Sequence, residues 1–204
     1  MTSLFPMFVK LERRTCLVVG AGAVGEQKIA SLLGTGARIR VVALQATPAV
    51  HEWAAAGKIE LALRAFVDDD LDGAFLAIVA TQSRDLNLHI YREAESRGIL
   101  CNVVDVPDLC AFYYGAVVRR GDLQIAVSTA GHSPTLAQRL RIRLEQEFGP
   151  EYETWVAELG AARKLVMASD LAPARKRELL SSLASRETVE AALHEHATTK
   201  GNTP

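Results

Sequence analysis

Through the first half of the chain, apolar residues fall in short runs that are mostly unbroken and not strictly alternating. The runs are TCLVVG (15–20), ARIRVVA (37–43), IELAL (59–63), GAFLAIVAT (73–81) and ILCNVV (99–104). Between them the spacing becomes helical. Val24, Ile29, Leu32 and Leu33 precede a glycine stop, Thr47-Pro48 opens a second helix, and Leu86, Ile90 and Ala94 share one face of a third that ends at Gly98. Strands with no polar face, separated by amphipathic helices, are buried on both sides. The pattern predicts an α/β chain built on a parallel sheet covered on both faces.

Beyond residue 114 the pattern changes. FYYGAVVRRGDLQIAVSTAG (112–131) reads as two strands about the turn Arg120-Gly121-Asp122, with no helix between them. HSPTLAQRLRIRLEQEFG (132–149) reads as a helix capped by Ser133, with Pro134 at its first position and an apolar stripe of Leu136, Leu140 and Leu144. After Pro150 three further helical stretches follow, the last over ETVEAALHEH (187–196), and a polar, disordered tail is expected after it. The expected organisation is an α/β domain over 1–114, a hairpin-plus-helix dimerisation segment over 115–149 and a C-terminal helical domain over 150–204.

Bulk properties narrow the function classes. The 204 residues carry a formal net charge of −1, too little to attract nucleic acid or an anionic membrane surface, and no apolar run approaches a bilayer span. The charges of MTSLFPMFVKLERR follow its apolar patch, the wrong order for a secretory signal. Three scattered cysteines (Cys16, Cys101, Cys110) form no disulfide framework, so a reduced, cytoplasmic setting is expected.

VVGAGAVG places Gly20, Gly22 and Gly25 in G-x-G-x-x-G spacing, directly after a predicted strand and at the start of a helix. The first glycine permits a tight turn, the second lets backbone approach a pyrophosphate, and the third lets helix and strand pack closely. The helix start at Ala23 and Val24 supplies partial positive charge. The acid that should end the second strand and hold a ribose 2′-hydroxyl is missing. Ala43, Leu44 and Gln45 stand there, with Gln45 as the one polar side chain on offer, and no arginine follows to hold a 2′-phosphate. The loop makes residues 1–114 a Rossmann-like, dinucleotide-binding domain by expectation, with NAD and NADP both open on residue chemistry.

Three segments in consistent order carry a resemblance. FPMFVKLERRTCLVVGAGAVGEQKI, then AIVATQSRDLN leading to CNVVDVP, then QIAVSTAGHSPTLAQRLR resemble the siroheme-synthase N-terminal family of precorrin-2 dehydrogenases and sirohydrochlorin ferrochelatases. The likeness runs from about Phe5 to Glu147 and continues more loosely into the helical tail. The chain as it stands leaves no room for the methyltransferase domain fused to some members. The resemblance implies NAD-dependent oxidation of precorrin-2 to sirohydrochlorin and, in bifunctional members, Fe²⁺ insertion in the same cleft to give siroheme. It also implies a homodimer joined through the region after the dinucleotide fold.

Ligands of open parallel sheets bind beyond the carboxyl ends of the strands, where Thr81 and Asp105 are expected beside the glycine loop. Aspartate before Val-Pro is also ordinary turn chemistry. The family's functional aspartate falls at this position, so the resemblance makes Asp105 the general base for the proton lost on oxidation. Asp108, beyond the proline, is a weaker candidate for the same role, and Cys110 a weaker one still as nucleophile or metal ligand. Ser128, Thr129, Gly131 and His132 lead into a helix start, a setting suited to a substrate carboxylate, and Arg119 and Arg139 are candidate partners for further carboxylates. Family members often carry Ser-Ser-Gly-Gly or Ser-Ala-Ser-Gly where this chain has Ser128-Thr129-Ala130-Gly131. No resident metal site is expected, His194 and His196 included. A dehydrogenase without chelatase activity and a non-catalytic dinucleotide-sensing domain remain open.

Overall fold

The structure, a computed structural model, describes residues 4–185. The last expected helix, His194, His196 and the polar tail lie outside the described residues. The chain divides into two compact units, Met1–Tyr114 and Gly115–Pro204.

The first unit holds five parallel strands: β1 (Thr15–Ala21), β2 (Arg38–Ala46), β3 (Glu60–Leu63), β4 (Ala74–Val79) and β5 (Leu100–Val103). Three helices connect them, α1 (Ala23–Leu32), α2 (Pro48–Ala55) and α3 (Arg84–Ser96). The strand order is β3-β2-β1-β4-β5. The chain therefore moves outward from β1 to one edge and then crosses back to continue on the other side. That crossover opens a crevice between the carboxyl ends of β1 and β4, the usual dinucleotide position in such sheets.

Each sheet face has its own core. Cys16, Val18, Ile29, Val41, Val50 and Ile78 pack on one side, and Leu17, Val19, Ala77, Val79, Ile90 and Val103 on the other. Consecutive β1 residues thus alternate between two buried faces, which is why its sequence shows no polar alternation. Full burial of each large aliphatic side chain contributes about 1.5–3 kcal/mol before conformational entropy is counted. Strand β2 extends to Ala46, three residues beyond its expected end, because Ala21 pairs with Ala46 past a register shift and the Thr47 amide donates to the Ala21 carbonyl at 3.1 Å. Arg40 points away from that end. Its guanidinium donates to the Asp70 and Asp72 carbonyls at 3.1 and 2.6 Å, fastening the 3₁₀ turn Asp68–Leu71.

In the second unit, β6 (Ala116–Arg120) and β7 (Leu123–Val127) form an antiparallel hairpin, followed by α4 (Pro134–Glu147), α5 (Glu151–Ala168) and α6 (Pro173–Leu183). Arg120 closes the hairpin onto α4 by donating to the Phe148 and Glu145 carbonyls at 2.9 and 3.1 Å, satisfying orphan groups at the helix end. The leucine stripe of α4 is not where this helix packs. Ala137 is the buried contact of α4, whereas Leu136 and Leu140 are exposed and Leu144 is half-covered. Among the described residues of this unit only Ala116, Val118 and Ala137 are buried.

Candidate active site

Backbone hydrogen bonds align the ends of three strands. Val19, Val79 and Val103 lie in one register across β1, β4 and β5. One residue on, the Ala80 amide donates to the Val19 carbonyl at 2.8 Å and the Val104 amide to the Val79 carbonyl at 2.9 Å. Gly20, Thr81 and Asp105 follow from these points, so the glycine loop and the strand-end acid share one rim.

The three fingerprint glycines have different local reasons. Gly20 adopts φ +100°, and a Cβ there would stand 2.4 Å from the Ala80 carbonyl oxygen; one on Gly25 would stand 2.1 Å from that of Gly20. Both are required by packing within the protein. A Cβ on Gly22 would meet nothing within 4 Å, and its φ of −74° suits any residue. Gly22 is the N-cap of α1, and no side chain caps that helix start. An open approach to an uncapped helix N-terminus fits a pyrophosphate, with Gly22, Ala23, Val24 and Gly25 as the cradle. At the neighbouring end of β2, Leu44 and Gln45 are exposed, Leu44 to 76%. No acid stands there for the ribose.

Thr81 is committed internally. Its hydroxyl donates to the Asn87 side-chain carbonyl at 2.5 Å, while the Asn87 amide returns a bond to the Thr81 carbonyl at 3.1 Å. Asn87 is buried on α3, so it braces the β4 end of the rim. Sequence reading missed Asn87, although a polar residue on the buried face of a helix was a signal in plain view. Thr81 therefore offers the rim a fixed backbone rather than a free hydroxyl.

Asp105 is exposed and adopts φ +63°, in the left-handed region. The Val106 amide bonds back to the Val103 carbonyl at 3.2 Å, closing a tight turn with Asp105 at the position where glycine or asparagine is usual. A non-glycine residue there carries roughly 1 kcal/mol of backbone strain, and such strain concentrates at functional positions. Behind it, the buried Asn102 donates to the Phe112 carbonyl at 2.8 Å and to Cys110 Sγ at 3.3 Å. Cys110 donates in turn to the carbonyls of Val103 and Val106. Cys110 is thus a brace for the Asp105 turn. Asp108 is exposed one turn further along the chain.

A second residue that sequence reading missed is Lys28. It projects from α1 and places its ammonium 4.0 Å from the Tyr114 ring centroid. Burial holds the ammonium below the usual lysine range, with Asp105 and Cys110 acting in the opposite sense.

In the second unit, Ser128, Thr129, Gly131 and His132 form a turn ahead of α4. Ser128 Oγ accepts from the Ala130 amide at 3.1 Å, and Thr129 Oγ1 accepts from the Ser133 amide at 3.0 Å. Ala130 (φ +50°) and Gly131 (φ +82°) are both left-handed, and Ser133 caps α4 through the Leu136 amide at 3.2 Å. Gly131 and His132 are exposed, as are Arg119 and Arg139. Among the described residues, no group of three histidine, cysteine or acidic side chains is placed to hold a metal ion, and no helix is long and apolar enough to cross a membrane.

The glycine loop, strand order and shared rim define a Rossmann-like dinucleotide-binding protein. Over residues 7–116, more than half of its length, the sequence matches a family described as putative NAD(P)-binding; residues 120–147 match one described as sirohaem biosynthesis protein central. The siroheme synthase of Citrobacter koseri is 44% identical over 140 residues, covering 69% of this chain and 31% of that protein. The siroheme synthase of Methylobacillus flagellatus is 41% identical over 140 residues, covering 69% and 30%. A solved structure described as SirC, precorrin-2 dehydrogenase, superposes with a TM-score of 0.81 at 25% identity, covering 97% of this chain and 98% of that one. The chain belongs to the siroheme-synthase N-terminal family. It spans about a third of the length of the curated relatives it matches.

Proposed function

We propose that the protein oxidises precorrin-2 to sirohydrochlorin with NAD⁺, and that Asp105 accepts the proton released. The observation that carries this reading is the alignment of an uncapped, open glycine loop and a strained, exposed carboxylate on one strand-end rim. NAD⁺, when bound, supplies the hydride acceptor. Gly22, Ala23, Val24 and Gly25 hold its pyrophosphate through backbone amides and the α1 dipole. Leu44 and Gln45 lie alongside the adenosine end, Gln45 offering an amide to the ribose. Asp105 takes the macrocycle proton as the hydride leaves and passes it to water.

Ser128, Thr129, Gly131 and His132, with Arg119 and Arg139, are assigned to the carboxylate arms of the substrate. The exposed leucines of α4 support assignment of the hairpin-plus-helix segment to a homodimer contact. Fe²⁺ insertion into sirohydrochlorin belongs to the same reading, with Fe²⁺ as substrate and Asp105 receiving protons from the ring nitrogens. The setting is cytoplasmic.

The deciding experiment is anaerobic. Precorrin-2 generated in situ is mixed with protein and NAD⁺, and NADH and the sirohydrochlorin spectrum are followed. Asp105→Asn preserves side-chain size and tolerance of the left-handed turn. Its rate should fall at least ~100-fold with NAD⁺ affinity unchanged, in line with loss of a general base. Fe²⁺ added afterwards tests the chelatase step in both proteins. A wild type that binds NAD⁺ but leaves precorrin-2 unchanged would mark the chain as a dinucleotide-sensing domain instead.

A further inference from the structure

We propose that Asn102, acting through Cys110, is a positioning residue for Asp105: the two form a clasp between the end of β5 and the returning chain that fixes the left-handed turn carrying the carboxylate. The inference rests on the reading of Asp105 as the proton acceptor.

The Asp105 carboxylate makes no hydrogen bond or ion pair with another of the described residues, so the turn is what aims it. That turn has φ +63°, a conformation an aspartate holds only where its surroundings enforce it. The enforcing contacts lie inside the loop. After β5 the chain returns alongside its own strand end, where Asn102 and Cys110 form an antiparallel bridge and the Ala111 amide donates to the Cys101 carbonyl at 2.7 Å. Asn102 Nδ2 donates to Cys110 Sγ at 3.3 Å and to the Phe112 carbonyl at 2.8 Å. The thiol stands 3.1 Å from the Val103 carbonyl and 3.2 Å from that of Val106, and its single proton serves both. Those carbonyls lie on either side of Asp105 in the chain. The Tyr113 hydroxyl adds a further tie to the loop, donating to the Pro107 carbonyl at 3.3 Å.

The core alone does not call for this amide. Asn102 is 6% exposed and stands in register with the apolar Ile78 of β4. A leucine of similar volume would bury more apolar surface and desolvate no polar group. The donors of Asn102 go to the returning chain and not to the sheet. Their direction is fixed chemically: an amide N–H only donates, so the sulfur accepts from Asn102 and its own proton is left for the carbonyls, each bond polarising the next. Such a chain needs a protonated thiol, and burial pushes the Cys110 thiol up, with the Val103 hydrogen bond and Lys28 acting in the opposite sense. The clasp therefore grips the backbone around Asp105 while leaving its carboxylate exposed.

Two measurements test this, and they fail separately. Amide hydrogen exchange by NMR needs no substrate. In Cys110→Ala the Val106 and Leu109 amides should exchange about three- to tenfold faster, in line with loss of one hydrogen bond, while the amides of β1 keep their wild-type protection. Unchanged exchange at both positions overturns the clasp. In the anaerobic precorrin-2 assay, Cys110→Ala should lower kcat about tenfold, with KM for NAD⁺ within about twofold of wild type. Cys110→Ser, whose hydroxyl donates to the same carbonyls, should retain kcat within about threefold of wild type. Asn102→Leu removes the other end of the hydrogen-bond chain and should lower kcat as Cys110→Ala does; should it fail to fold, the two Cys110 variants still decide. A Cys110→Ala enzyme at wild-type kcat overturns the positioning role even where exchange is faster. Equal loss in Cys110→Ala and Cys110→Ser overturns the donor's part, and a rise confined to KM for NAD⁺ assigns the loop to the cofactor instead. A wild type that does not oxidise precorrin-2 removes the positioning role together with the dehydrogenase reading, while the exchange result still decides whether the clasp holds the turn.

Discussion

The glycine loop separates residues kept by the fold from one explained by a ligand. Alanine at Gly25 drives a Cβ into the Gly20 carbonyl, so Gly25→Ala should destabilise the protein by about 2 kcal/mol or more, read as a lowered denaturation midpoint. Alanine at Gly22 meets open space at an ordinary φ, so Gly22→Ala should leave stability within about 0.5 kcal/mol. Its NAD⁺ affinity should nonetheless fall about tenfold or more, because the added methyl occupies the pyrophosphate's approach. Equal effects of the two changes on both readouts would remove the ligand explanation for Gly22. The loop before α4 gives a complementary case. Ala130 is held left-handed, so Ala130→Gly should stabilise the protein by up to ~1 kcal/mol in urea unfolding, strain relief exceeding the added unfolded-state entropy. The spacing of the glycines was legible because turn chemistry is local. Lys28 and Asn87 were not, because each is explained by a neighbour that only the fold brings to it: Lys28 by the Tyr114 ring from the far end of the first unit, Asn87 by Thr81, six residues back at the β4 end.

At the scale of elements, the central strands carry a titration of their own. Cys16 on β1 and Cys101 on β5 are fully enclosed, and burial pushes their thiols up to about 11 and about 12 from an ordinary 9.0. The folded state keeps these protons where the unfolded chain releases them. The thiols' contribution to stability should therefore be constant below pH 9 and fall as pH rises above it, with a limiting slope of about 1.4 kcal/mol per pH unit for each thiol. Urea unfolding at pH 8, 9.5 and 10.5 reads this slope, and Cys16→Ala with Cys101→Ala should flatten it even though both variants start less stable. An unchanged slope would assign the alkaline loss to other groups. The strands themselves were readable as uninterrupted apolar runs, since both faces of β1 and β4 are covered. The far end of β2 was not, because its last three residues are held by pairing to Ala21 rather than by burial, leaving Leu44 and Gln45 exposed within a strand.

Across the whole molecule, the two units are unequal in core. The first encloses two apolar clusters on either side of its sheet, whereas the second buries little beyond Ala116, Val118 and Ala137 among its described residues. The four-residue spacing of Leu136, Leu140 and Leu144 was legible as an apolar face, but sequence period reports amphipathicity and not which surface it meets. In this chain Leu136 and Leu140 face outward, 49% and 38% exposed, with Ile142, Leu165 and Met167 also exposed in the same unit. Apolar surface of this kind is stabilised by covering it, and two copies of one helix can cover each other through a self-complementary two-fold contact. Leu140→Glu should then convert a dimer to a monomer in sedimentation velocity, since two glutamates brought together near the axis would repel and lose their water. The substitution is at an exposed position, so the far-UV spectrum and the melting of the first unit should be preserved. A wild type that sediments as a monomer at all concentrations would refute the contact. A dimer indifferent to Leu140→Glu would place the contact on another face of the molecule.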